Sequence, residues 1–227
     1  MLVLCGSAVQ MMEHLLTGDA PLAGCTTGRV PLRPLDFHAA QQLIHATSPL
    51  DVLATYGVLG GMPLYLNFFS SRSLKDNIRD AIASTSARLY VEPQALFSAH
   101  HSSFNAEHAM SVLRAVVRKE HTWSGIERAT GISRGSLTAV VQPLIGDLGL
   151  LERVLPVTEM RESRTYHTQY HLTDNFIRFW FTFIEPRQGQ IEFGDAQGVV
   201  EAIMAALDDY MGAVSYTHLT LPTILRV

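Results

Sequence analysis

Residues 122–154 read TWSGIERATGISRGSLTAVVQPLIGDLGLLERV. Residues 123–130 form a short helical run that Gly131 closes. Ser133 then stands at an N-cap position, with an apolar-rich helix over residues 134–148 behind it. Gly149 punctuates the end of that helix, and residues 150–157 begin an alternating segment that resumes over residues 165–172. Directly downstream comes Asp174-Asn175-Phe176-Ile177-Arg178-Phe179-Trp180-Phe181, an aromatic cluster far denser than the rest of the chain.

Helix, tight turn, helix and two-stranded ribbon make up the plan of a winged helix-turn-helix. Residues 105–120 supply its first helix. Working back from there, the polar stretch at residues 98–103 is a boundary and residues 93–97 a connector. Ser73 N-caps a helix through Ser84, with Leu74, Ile78 and Ile82 at four-residue spacing. Residues 51–59 and 63–69 read as two shorter helices around Gly60-Gly61, and Asp36 caps another through His45. Residues 30–35 read as a short strand broken by prolines, residues 18–33 as a loop, and residues 9–16 as an amphipathic helix.

The chain has 227 residues and a formal net charge of −4, which argues against a broadly basic nucleic-acid coat. The charge is uneven. Residues 106–187 hold 10 Lys/Arg against 9 Asp/Glu, whereas residues 188–227 hold 1 against 5. The middle block is therefore the least hostile to phosphate. Two cysteines, Cys5 and Cys25, form neither a disulfide framework nor a metal-ligand spacing, so a reducing cytoplasm is the default location. No apolar run has membrane-spanning length.

The termini read as cut ends. Residues 2–7 are a short apolar run that suits the interior of a parallel sheet, yet nothing upstream supplies its neighbours. An N-terminal truncation is expected. Residues 214–227 look like the translation of a transposon-based sequencing adapter, and they are set aside from fold reasoning.

In this order, the pieces resemble the downstream part of the archaeal-type ATPases, P-loop NTPases related to the AAA+ and STAND groups. The resemblance covers roughly residues 1–212 and rests on residues 2–12 and 21–35, the Gly60-Gly61-Met62-Pro63-Leu64-Tyr65-Leu66 turn, and the winged helix with its aromatic cluster. It implies a mixed α/β fragment, mostly α: residues 1–45 as the terminal edge of a P-loop ATPase core, 46–103 as a helical lid, and 104–187 as the winged helix with the aromatic cluster. Residues 188–213 would open a truncated C-terminal domain, nuclease-like in complete relatives. It also implies ATP and Mg²⁺ in the intact parent. No Gly-x-x-x-x-Gly-Lys-Ser/Thr run is present, so this fragment is expected to bind neither and to be inactive. By the same resemblance, Ser7 is a sensor-strand hydroxyl aimed at the γ-phosphate. Arg29 is the nearest cation to the family position occupied here by Cys25. Gly60, Gly61 and Pro63 form the lid turn over the nucleotide. For each there is a plainer reading: a helix-capping serine, a solvated loop arginine and a helix–helix corner.

For DNA, the recognition helix offers Ser133, Arg134, Ser136, Thr138 and Gln142, and the wing offers Arg153, Arg161 and Arg164 beside Glu152, Glu159 and Glu162. That balance is thin for a phosphate-driven binder. Docking of the winged helix on its own ATPase core is the other partner considered. The aromatics fit core packing better than base stacking, with Phe176, Trp180 and Phe183 on one helical face. His167 and His171 lack a third metal ligand nearby, and no Ser-His-Asp or Cys-His arrangement is evident. The expected function is that of a fragment of an ATP-hydrolysing switch protein. A stand-alone winged-helix transcription regulator is the alternative, and a structural adaptor a third.

Overall fold

The computed structural model describes residues 32–98, 105–154 and 168–214, with isolated positions among the first 30. These residues form two units. One holds the segment from His100 to Thr173, and the other joins Pro34–Ala99 to the chain after Asp174.

The first unit is built from α6 (Ala106–Val117), α7 (Trp123–Thr130), α8 (Arg134–Gly146) and the strands β1 (Leu151–Val154) and β2 (Gln169–Leu172). The strands pair antiparallel, with Leu151 opposite Leu172 and Glu152 opposite His171. An additional bridge from Thr122 to Gln169 adds a third segment to this ribbon just before α7. Val112 and Leu113 on α6, Ile126 on α7, Leu137 and Leu144 on α8, and Leu151 on β1 close the core. This is the winged helix-turn-helix plan, with each apolar stripe turned inward.

The second unit is helical. Its elements are α1 (Phe37–Ala40), α2 (Pro49–Leu59), α3 (Pro63–Leu66), α4 (Leu74–Ala81) and α5 (Arg88–Ser98), followed by α9 (Asn175–Phe179), α10 (Gln188–Glu192) and α11 (Ala196–Val214). Asp36 and Ser73 cap their helices by accepting from Ala39 and Asp76 amides. Leu74, Ile78 and Ile82 are all buried. Helix α5 occupies the region read as a connector, and it carries Pro93 in its interior. Between α9 and α10 the backbone widens into a π-helical stretch (Trp180–Ile184) and tightens into a 3₁₀ turn (Glu185–Arg187). Pro186 lacks the amide that the Thr182 carbonyl would take in a regular helix, which places the irregularity here. Phe176, Phe179, Trp180, Phe181, Phe183 and Ile184 are all buried, so the segment is apolar nearly all round. Such a helix belongs at the centre of a bundle.

The two sequence motifs that looked like a signature meet within this unit. Gly61 lies against the backbone of Leu35, whose amide donates to the Gly61 carbonyl at 2.8 Å. A Cβ at position 61 would fall 1.8 Å from the Leu35 carbonyl oxygen. Gly60 has φ +68° and ends α2. Pro63 opens α3 at a first-turn position. On the following side, the Tyr65 ring packs on Phe176 with centroids 4.9 Å apart. The Asn175 side-chain amide donates to the Tyr56 carbonyl at 3.2 Å, and the Tyr210 hydroxyl donates to the carbonyls of Gly57 (3.4 Å) and Asn175 (3.3 Å). Burial pushes the hydroxyls of Tyr65 and Tyr210 above their ordinary value, so both stay protonated donors. The Trp180 indole donates to the Tyr90 carbonyl at 3.0 Å.

Among the described residues there is no edge of a P-loop ATPase core, and with it falls the resemblance to the archaeal-type ATPases. The described residues are mostly α, as expected, but their strands form a small antiparallel hairpin rather than the edge of an ATPase core, and the reading as a fragment of an ATP-hydrolysing switch protein falls too. The sheet among the described residues has two strands, and they run antiparallel. A nucleotide-binding α/β core needs a parallel sheet covered by helices on both faces. Of the segment expected to be a central strand only Val3 lies among the described residues, and it has no strand geometry and is 72 % exposed. Val30 and Leu32 are also exposed and outside any strand, so the short strand over residues 30–35 is absent as well. An apolar run becomes a sheet strand only when neighbours supply its hydrogen bonds, and a composition of valine and leucine does not create those neighbours.

Two substitutions test this packing. Gly61→Ala drives a methyl into the Leu35 backbone and is expected to destabilise the protein by about 3 kcal/mol or more, read as a lowered thermal midpoint. Gly135→Ala, whose Cβ meets nothing within 4 Å, serves as the control. Separately, hydrogen bonds from Arg79 and Arg72 hold the Asp80 carboxyl down at about 2, against an ordinary value of 3.8. Its stabilising effect is therefore present above pH 3.8 and is lost as pH falls towards 2. Asp80→Asn is expected to lower the midpoint at neutral pH and to converge with the wild type near pH 2.

Candidate nucleic-acid interface

The winged unit is assembled from local caps and a few long-range bonds. Asn105 accepts from the His108 amide at 3.0 Å and starts α6. Thr122 accepts from the Gly125 amide at 3.1 Å and starts α7. Gly131, at φ +67°, takes the left-handed backbone that ends α7 and turns the chain into α8. Inside that turn the Thr130 hydroxyl donates to the Ile126 carbonyl at 2.8 Å and accepts from the Ile132 amide at 3.3 Å.

Ser133 occupies the N-cap position of α8, as its place in the sequence suggests, but its side chain does not cap the helix. Its hydroxyl donates instead to Ser136 Oγ at 3.1 Å. Arg134, Ser136, Thr138 and Gln142 are all exposed, while Leu137, Val140, Val141 and Leu144 are buried. The helix is thus cleanly two-sided up to Pro143. Proline there removes the amide that the Ala139 carbonyl would bond, and the helix nonetheless continues to Gly146.

The ribbon is held to the helices by its first turn. The Tyr170 amide donates to the His121 carbonyl at 2.8 Å, and the Trp123 ring lies 5.7 Å from the Tyr170 ring. The His121 and His171 rings stack with centroids 4.4 Å apart and 19° between planes. This contact and the third ribbon segment were not foreseen. The paired polar residues before Trp123 were the available signal. No group of three metal-ligating side chains occurs among the described residues. Arg153 is exposed on β1, its guanidinium 6.0 Å from the Tyr170 ring centre.

The cations are unevenly committed. Arg128 pairs with Glu120 at 3.6 Å. Arg118 and Lys119 are exposed at the end of α6, and Lys119 adopts φ 71°, a conformation that glycine would take without strain. Beside the turn, a concavity of about 380 Å³ is lined by Glu107, His108, Ser111 and the residues from Thr130 to Ser133. Glu107 makes that hollow unfavourable to phosphate, which leaves the outer ridge of α8 and the ribbon as the surfaces open to a polyanion. Arg161 and Arg164 of the wing lie outside the described residues, as do Ser7 and Arg29. Gly60, Gly61 and Pro63 belong to the helical unit's corner described above.

The chain is similar to the uncharacterized protein MJECL04 of Methanocaldococcus jannaschii, at 27% identity over 216 residues. The match takes in 94% of this chain and 47% of that protein, so the chain spans about half the length of the curated relative it matches. No family model and no solved structure matches the chain. No helix among the described residues is long and apolar enough to cross a membrane.

The turn glycine offers a direct check on this unit. Gly131→Ala meets no atom within 4 Å, so its cost is conformational alone. A loss of about 1 kcal/mol in stability is expected, together with unchanged helical content by circular dichroism.

Proposed function

We propose that the winged unit binds double-stranded DNA, with α8 as the recognition helix in the major groove and the β1–β2 ribbon alongside the backbone. The protein is then a DNA-binding regulator of the winged-helix class. The observation that carries this reading is the outer ridge of α8. Arg134, Thr138 and Gln142 follow one another at four-residue spacing, and all are exposed. At 13 residues, α8 is about 20 Å long and fits a groove about 12 Å wide.

Electrostatics sets the character of the interaction. Arg134, Arg153, Arg118 and Lys119 are exposed cations in the unit, with an excess of a single positive charge over residues 106–187. Affinity that rests on phosphate contacts alone falls steeply with salt, at a slope of about −0.9 per neutralised phosphate. With so few cations the duplex is held by a small electrostatic contribution, and base contacts must supply more of the selectivity.

Fluorescence anisotropy with a labelled duplex across a salt series tests this. Arg134→Ala is expected to weaken binding by a similar factor on every duplex and to reduce the salt slope by about 1. Absence of any duplex binding by the wild type at low salt would end the proposal.

A further inference from the structure

The exposed side chains of α8 differ in what they have left to give a ligand. The Ser133 hydroxyl is spent on Ser136 Oγ, and the Thr138 hydroxyl donates to the Arg134 carbonyl at 3.1 Å. Thr138 therefore has its methyl group to present. Arg134, in the first turn, offers a cation suited to phosphate. Gln142 is exposed, and its carboxamide has no hydrogen-bond partner among the described residues. On the ridge of Arg134, Thr138 and Gln142 it is the side chain that can donate and accept at two neighbouring atoms.

The positions around Gln142 are small. Gly146, one step further along the same row, and Gly135 and Ala139 on the adjoining row are exposed, and none carries more than a methyl. A base edge can therefore approach the helix surface closely. In the major groove, adenine presents a donor at N6 beside an acceptor at N7, the complement of a carboxamide. Its thymine partner presents a methyl group, which suits the methyls of Ala139 and Thr138 rather than a charge.

Resting on the DNA-binding reading of the same helix, we infer that Gln142 is a specificity-determining residue. Its target is an A·T base pair, with adenine on the Gln142 carboxamide and the thymine methyl against Ala139 or Thr138. Guanine presents two acceptors at the same edge, O6 and N7, so the carboxamide oxygen has nothing to accept there. A G·C pair is disfavoured for that reason.

The test uses the full chain. Duplexes selected from a random pool are titrated by anisotropy, alongside variants with single base pairs exchanged. Replacing one A·T pair by G·C is expected to weaken wild-type binding roughly 5- to 150-fold. Gln142→Ala is expected to bind both duplexes alike at that pair while keeping the other preferences. Discrimination that survives in Gln142→Ala overturns the inference and leaves DNA binding standing. So does duplex binding by the wild type with no preference for A·T, or an equal loss by the variant on both duplexes. A wild type that binds no duplex overturns the inference together with the function on which it rests.

Discussion

In the helical unit, the backbone of Gly61 and the backbone of Leu35 pass so close that no side chain fits between them. That approach fixes where α2 ends and α3 begins. The Tyr65 ring then stands beside Phe176, and the carbonyl at the end of α2 faces the Asn175 amide. Trp180 and Tyr210 complete the arrangement by donating to backbone carbonyls from inside the core. Buried carbonyls that are satisfied by side-chain donors remove the desolvation cost that an irregular corner would otherwise carry. The corner is a packing device. The Gly-Gly-x-Pro-x-Tyr and Asp-Asn-Phe-x-Arg-Phe-Trp motifs pack on one another, Tyr65 against Phe176.

The winged unit divides its labour differently. Its core is ordinary aliphatic packing of α6, α7 and α8 against the ribbon, and its outer surface is nearly free of that task. The outer ridge of α8 carries one cation, one carboxamide and several small residues. A binder built this way cannot rely on a field of positive charge, because a net charge of −4 over the chain opposes it. On the proposed function, selectivity comes from short-range complementarity, which acts only once the helix is within hydrogen-bond distance of a base edge.

Much of this was legible in the residues. The run from Trp123 to Gly146 follows the helix, turn and helix that its glycines and caps announce, and the burial of Leu74, Ile78 and Ile82 follows their spacing. The aromatic cluster reads as core from the helical spacing of Phe176, Trp180 and Phe183, and all three are buried. Its partners could not be read that way, since Asn175 and Tyr56 are 119 positions apart. Helix α5 covers residues 93–97, read as a connector, and it carries Pro93 in its interior. Of the opening apolar segment only Val3 lies among the described residues, and it stands outside any strand. Hydrophobicity reports a preference for burial, and the exposed Val3 does not realise it.

What the chain determines locally, then, is its caps, its turn glycines, the two-sidedness of α8 and the sparse chemistry of that helix's outer face. Each depends on residues within about one or two helical turns of one another, where spacing alone sets geometry. Tertiary structure alone decided that the double-glycine corner serves as the seat of the aromatic segment. It also decided that His121 and Thr122 would join the ribbon, and that Ser133 would spend its hydroxyl on Ser136 rather than on the helix end. Those outcomes depend on which distant surfaces come into contact, and no local period in the sequence encodes that.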